Sequence, residues 1–425
     1  MFARLRWVGL LGMLPLAACA PDEFRGIEIR YMAWGNPQQL KLEKQFCEEF
    51  SKTHPGIRVK FIQTPSSAYG NKMILMLASR TAPDVMRVDH YNFPALVAKD
   101  YFHPLDDLIA KDSVYKTSDY FPGAVEEGRY KEKLFGVNVL FGAPSIYYNK
   151  ELLKKAGLEE PYALWKRGEW NWDTFLRYAK ALTTRDAKGK PLTYGCFIND
   201  LPFRMAVVYS FGGNIMRDGK VALTDGKAKE AFRFLHELRF KHRVEPTVAQ
   251  AANSAFTFDS GKLGMQIDWM GITPRLRDAA KFDWDVCPMP MKPGGTTLVK
   301  GNQLVMSAES KHPEAAWEFM KYMTGPEVER KLYVELRRCF PTRKDVALSP
   351  EYLRSGDQPP HHLDAFVDSV QRGRILPITS RWSEWTTEFN SGMEPVFNGT
   401  QKNLDAGLAE AQRRANATLA VREGL

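Results

Sequence analysis

Residues 27–62 read Ile27-Glu28-Ile29-Arg30-Tyr31-Met32, then a segment opening at Pro37 with Leu42, Phe46 and Phe50, then His54-Pro55-Gly56, then Ile57-Arg58-Val59-Lys60-Phe61-Ile62. The outer pieces alternate in polarity and are rich in β-branched and aromatic residues, the pattern of strands. Leu42, Phe46 and Phe50 recur every four residues, which predicts one apolar helical face. His54-Pro55-Gly56 stops the helix. Strand, helix and strand in succession form a βαβ unit, and repeated units build a largely parallel α/β sheet.

The alternation continues outward. Met73 to Ser79 reads as a helix, and Ala82-Pro83-Asp84 breaks into the strand Val85-Met86-Arg87-Val88. A second unit starts near Asn138. It holds helices after Asn149 and after Asp173, the latter residue being a suitable N-cap. Ala231, Leu235 and Leu238 mark another helix. Gly264-Met265-Gln266-Ile267 is a strand that ends at Asp268-Trp269. Gly301-Asn302 reads as the turn before the strand Gln303-Leu304-Val305-Met306, and Pro313 opens a helix. Leu404, Leu408, Ala411, Ala415 and Leu419 form the stripe of a last helix.

The first residues carry an address. Met1 to Trp7 has Arg4 and Arg6 and no acid, Val8 to Leu16 is apolar, and Leu16-Ala17-Ala18-Cys19 follows. Basic, apolar and small-residue regions in that order make a secretory signal over residues 1–18. The run falls short of the about 20 apolar residues that span a bilayer. A cysteine after Leu-Ala-Ala resembles a bacterial lipobox. That resemblance implies cleavage before Cys19, a diacylated sulfur there, and a tether over 19–26. A lipid anchor would hold an otherwise soluble chain at a membrane.

At 425 residues and 44% hydrophobic, the chain suffices for two domains or one large bilobal one. Its formal charge of +9 is dispersed among 50 acids, which argues for a solvated surface and against a nucleic-acid groove. Cys47, Cys196, Cys287 and Cys339 are widely spaced, without metal-ligand spacing. Export permits disulfides among them, and buried free thiols are the equal alternative.

Six further pieces, in order, resemble the family 1 extracellular solute-binding proteins, the group that includes maltose- and glycerol-phosphate-binding proteins. They are Phe50-Ser51-Lys52-Thr53-His54-Pro55-Gly56-Ile57-Arg58-Val59, Ala82-Pro83-Asp84-Val85, Tyr147-Tyr148-Asn149-Lys150-Glu151-Leu152, Trp170-Asn171-Trp172-Asp173-Thr174-Phe175, Gly261-Lys262-Leu263-Gly264-Met265 and His312-Pro313-Glu314-Ala315-Ala316-Trp317-Glu318-Phe319. Each is weak alone; their order over nearly the whole chain carries the resemblance. It implies a two-lobed periplasmic-binding-protein fold, type II-like, with a hinge and an interlobe cleft. Residues 27–138 and 288–345 would form the N-terminal lobe. Residues 139–287 and 346–425 would form the C-terminal lobe.

The resemblance implies capture of a solute for an ABC importer, with a carbohydrate as the expected ligand. A sugar offers apolar C–H faces and a rim of hydroxyls, so its site needs flat aromatic rings and forked polar groups. Trp34, Trp269, Trp382 and Trp385 are the candidate stacking rings, with Tyr69 and Tyr147 as further candidates. Asp89, His90, Asn138, Asn302 and Arg381 are the candidate hydrogen-bonding groups. Gly301 would let backbone N–H groups approach the ligand. Arg381 would also suit a phosphate, which keeps a glycerol-phosphate ester as the alternative ligand.

A secreted glycoside hydrolase is the remote alternative. Its paired carboxylates are not legible among so many acids, and GxSxG, HExxH, P-loop and GxGxxG patterns are absent from the sequence. No enzyme activity, cofactor or metal is therefore expected. The expected partners are the solute, the importer's membrane subunits and, through Cys19, a bacterial membrane. The expected state is a monomer, periplasmic or at the cell surface, without nucleic acid.

Overall fold

A computed structural model describes residues 24–198, 200–224, 226–247, 250–251, 255–337, 340–354 and 356–420. The expected signal, Cys19 and Cys339 lie outside the described residues. In chain order the elements that position the site begin with β1 (Ile27–Gly35), α1 (Pro37–Thr53), β2 (Ile57–Pro65), α2 (Ser66–Ala78) and β3 (Val85–Asp89). Next come β4 (Gly136–Gly142), β5 (Pro144–Asn149), α3 (Trp172–Leu182), β6 (Thr184–Arg185), β7 (Pro191–Phe197), α4 (Leu201–Ser210) and α5 (Gly226–Phe240). Then follow β8 (Leu263–Trp269), β9 (Trp284–Cys287), β10 (Thr297–Met306), α6 (Pro313–Met323), β11 (Gly373–Ile375), α7 (Trp382–Asn398) and α8 (Leu404–Ala420).

The opening βαβ unit forms as its pattern requires. β1 and β2 pair in parallel from Ile27 opposite Ile57 to Gly35 opposite Pro65. Asn36 caps α1: its side chain accepts from the Gln39 N–H at 2.9 Å, while the Gln39 side chain accepts from the Asn36 N–H at 3.0 Å. This reciprocal cap satisfies two donors that a helix start leaves open. β1 is buried on both faces. Ile29, Tyr31 and Ala33 meet Phe46 and Phe50 of α1 and Phe319 of α6; Met32 meets Met73 and Leu77 of α2. A strand covered by helices on both sides belongs to the middle of a parallel sheet.

Two sheets result. The first runs β11-β10-β3-β1-β2, with β4 also paired to β10; the second runs β9-β5-β8-β7-β6. β4 and β5 are nearly continuous, so the chain first changes sheet at Ala143, which is fully buried. It changes back between β9 and β10. Residue 138 lies within β4, which pairs with β10 as far as Gly142 opposite Lys300. A core of Phe141, Ala143, Tyr147, Trp284, Tyr333 and Phe366 fills the junction.

Two local expectations are corrected. Gly301 and Asn302 are not a turn: they sit inside β10, and the ladder to β4 shifts register between Asn302 and Gln303. Asp173 is not the cap of α3. Asn171 is, accepting from the Asp173 and Thr174 N–H groups at 3.1 and 3.0 Å. The helix therefore begins at Trp172, whose indole donates to Ser210 Oγ at 3.0 Å in the core. Cys47, Cys196 and Cys287 are buried free thiols.

Candidate functional site

Tyr91, just beyond the carboxyl end of β3, and Trp269, at the carboxyl end of β8, both reach β10; open α/β sheets bind ligands beyond such strand ends. At that point β10 carries Lys300. Its ammonium lies 4.3 Å from the centre of the Trp269 ring, 4.9 Å from that of Tyr91 and 3.4 Å from Tyr91 Oη. Trp269 ends β8 and is backed by Phe203 of α4, ring centres 5.5 Å apart. Tyr91 follows β3 and stacks on Trp382 at the start of α7, 5.3 Å between centres.

Burial lowers the Lys300 ammonium to about 8, while Glu127, Asp89, Asp200 and Asp268 oppose the fall. Each of these acids already has local donors. Asp89 accepts from the Tyr91 and Asn92 N–H groups and from the Asn92 amide, so it holds the turn after β3. Asp200 accepts from the Leu201 N–H at the start of α4. Asp268 accepts from the Trp269 N–H and the Gln266 amide; burial nevertheless raises it to about 6. Glu127 accepts from the Gly301 N–H at 2.9 Å and the Asn138 amide at 2.7 Å, and burial raises it to about 7.

The structure thus brings Asp89, His90, Trp269, Gly301 and Trp382 together around Lys300. His90 is buried beside Tyr91, with ring centres 3.6 Å apart and Nε2 without a hydrogen-bond partner. Burial and the Lys300 charge hold it well below its usual range, so it is neutral. Asn138 is only 3% exposed and supports Gly301 from beneath. Asn302 is half-buried, opposite Asp89 in the ladder. Arg381 precedes Trp382, and its carbonyl accepts from the Trp385 N–H.

The other expected contacts lie elsewhere. Tyr69 is buried, its hydroxyl donating to the Met32 and Arg87 carbonyls at 3.1 and 2.6 Å, which ties α2 to β1 and β3. Tyr147 is fully buried, its hydroxyl bonded to the Trp269 carbonyl at 3.2 Å. Trp385 is fully buried in the core beneath Trp382. These three are framework, not cleft surface. Trp34 is half-buried at the end of β1, held between Tyr69 and the Arg87 guanidinium, 4.4 Å from its ring centre.

Sequence reasoning missed Lys300, Tyr91, Glu127, Asp200 and Asp268. Lys300 left one signal: it is the one charged residue of β10, directly after Leu298 and Val299. Among the described residues, no cluster of three His, Cys, Asp or Glu is arranged to hold a metal.

Residues 34–330 match the sequence family described as bacterial extracellular solute-binding protein. The chain belongs to that family. A solute-binding protein of this family captures ligands rather than transforming them, which removes the hydrolase alternative. A putative binding protein of Brucella abortus is 24% identical over 97% of this chain and 98% of that one. Among solved structures, the ABC substrate-binding protein Lmo0181 of Listeria monocytogenes, in complex with cycloalternan, superposes with a TM-score of 0.80. It is 24% identical and covers 93% of this chain and all of its own. The sugar-binding protein MalE of Xanthomonas citri gives a TM-score of 0.79 at 20% identity, covering 92% and 97%. The two-lobed fold of such solute-binding proteins is therefore the fold of this chain. Among the described residues no helix is long and apolar enough to cross a membrane.

Proposed function

We propose that this solute-binding protein captures a carbohydrate outside the cytoplasm and delivers it to the membrane subunits of an ABC importer. One observation carries the reading: the Tyr91 and Trp269 rings flank a single ammonium amid four carboxylates. Rings supply the flat surface a sugar's C–H face needs, and the polar groups serve its hydroxyls. Four acids against one cation also repel an anion, which favours a sugar over a glycerol-phosphate ester. The cycloalternan complex and the sugar-binding MalE among its structural relatives support the same class.

In this reading the two sheets are the cores of two lobes, and solute selects the closed arrangement by touching both. Cys19 carries the lipid that keeps a monomeric protein at the membrane. A Cys19→Ala chain should leave the membrane fraction of cells; retention there would remove the anchor.

The deciding experiment is a thermal-shift screen of the chain from Ala20 onward against sugars, polyols and glycerol-phosphate esters. Ligand at 100 times its dissociation constant adds about 2.7 kcal/mol of stability, a readable shift. A sugar hit that disappears in Trp269→Ala supports the reading. A hit from phosphate esters alone, lost in Arg381→Ala, replaces the sugar with an anion.

A further inference from the structure

We propose that Lys300 sets the specificity of the cleft by donating hydrogen bonds from its ammonium to oxygens of the bound sugar, an inference that rests on the carbohydrate reading above. An ammonium has three donors and no acceptor. In this structure the only hydrogen-bond partner of the Lys300 ammonium among the described residues is Tyr91 Oη, at 3.4 Å. The four acids act on it through their field, but none hydrogen-bonds to it. Their oxygens are turned to the N–H and amide groups of Tyr91, Asn92, Asn138, Leu201, Gln266, Trp269 and Gly301. A largely buried cation thus keeps donors unspent, which is costly until an acceptor arrives.

Its position says where that acceptor comes from. The ammonium stands against the faces of both Trp269 and Tyr91, one from each side of the cleft. A solute that reaches these rings therefore meets Lys300. A hydroxyl or ring oxygen there accepts from the ammonium; an analogue lacking that oxygen leaves the donors unmet. A carboxylate or phosphate meets the same donors but also the four acids. The residue therefore selects a neutral, oxygen-rich solute.

Protonation supplies a readout that packing does not. The groups facing Lys300 are Asp89, His90, Tyr91, Glu127, Asp200 and Asp268. Burial keeps His90 neutral and pushes the Tyr91 phenol up. Glu127 and Asp268 titrate near 7 and 6. Lys300, at about 8, is the group that titrates just above neutrality. An acceptor raises it further, so the protonated form binds. Affinity is then constant a little below pH 8 and falls above it, by at most tenfold per pH unit.

The test is calorimetric titration of maltotriose, arabinotriose, mannotriose and raffinose into the wild type, then of the tightest binder into Lys300→Met and Lys300→Arg between pH 7 and 10. Lys300→Met should bind roughly 10- to 100-fold more weakly at pH 7 and show no alkaline loss. Lys300→Arg should recover part of the affinity and hold it to pH 10. The inference is overturned if Lys300→Met binds as well as the wild type, if it keeps the alkaline loss, or if Lys300→Arg recovers nothing. Those outcomes leave the carbohydrate reading intact, because the wild type still binds a sugar. Failure of the wild type to bind all four sugars removes that reading and this one together.

Discussion

Tyr91, on the loop that leaves β3, lies face to face with Trp382, the first residue of α7, with ring centres 5.3 Å and planes 16° apart. The two rings come from opposite sides of the cleft. Trp382 is braced from beneath by Trp385, edge-on at 4.9 Å. The stack therefore joins the two sides of the proposed site.

Removing one ring should loosen that contact. An aromatic pair contributes about 0.5–1.5 kcal/mol beyond its buried area, so Tyr91→Ala should shift the closed-to-open ratio by up to about tenfold. Small-angle scattering of the unliganded protein reads this as a larger radius of gyration. An identical profile in wild type and variant would mean that other contacts hold the closed state.

Gly301 is needed for space. It lacks the positive φ that favours glycine elsewhere in the chain. A Cβ at 301 would instead strike Asn138 Oδ1 and the Leu140 carbonyl of β4. Neither yields easily, since one is backbone and the other belongs to an amide that donates to Glu127. Gly301→Ala should cost about 1–3 kcal/mol or more, as overpacking does, visible as a lower urea midpoint. Unchanged stability would mean that β4 and β10 move apart freely.

Sequence periodicity identified the sheet and helix skeleton because α1 buries Leu42, Phe46 and Phe50 at the spacing their pattern declares, although β1, which alternates in sequence, is buried on both faces. It failed where the outcome depends on a partner strand. A glycine before Gln303 reads as a turn, and nothing local says that β4 presses on it from one side. Likewise Trp382 and Trp385 are three residues apart on α7 and both buried in one core, yet it is Trp382 that stacks on Tyr91 beside Lys300 while Trp385 packs behind it. Tyr69 and Tyr147 read as stacking rings until their hydroxyls are seen bonded to backbone carbonyls. Lys300 went unremarked, because its ring neighbours Trp269 and Tyr91 are 31 and 209 residues away in the chain.

The support under α4 should be sensitive to one acid. Glu245 pairs with Arg239 at 2.9 Å, both almost fully buried, and accepts from the Ile198 N–H at 2.5 Å. Arg204 of α4 lies close by, its guanidinium 3.8 Å from the Phe397 ring centre. Glu245→Ala leaves two buried guanidinium groups without their acid, which should cost about 3–5 kcal/mol. The same helix carries Phe203 against Trp269, so ligand affinity should weaken together with the urea midpoint. Loss below about 1 kcal/mol would show that water reaches the pair.

Glu127 should make stability depend on pH in an unusual direction. Burial raises its carboxyl from an ordinary value of 4.5 to about 7. Folding therefore favours the protonated form. The contribution is fully present below about 4.5 and is lost as pH rises through about 7. Its size, by the ordinary conversion, is about 3 kcal/mol. Glu127→Gln keeps a neutral side chain at every pH. Its carbonyl can still accept from the Gly301 N–H, and its amide can donate to Asn138 Oδ1, which has no partner in the wild type, once the Asn138 amide turns over. Urea unfolding at pH 5 and pH 8.5 should therefore show the variant gaining on the wild type as pH rises. Parallel pH profiles for the two proteins would mean that Glu127 is ionised throughout, held so by Lys300.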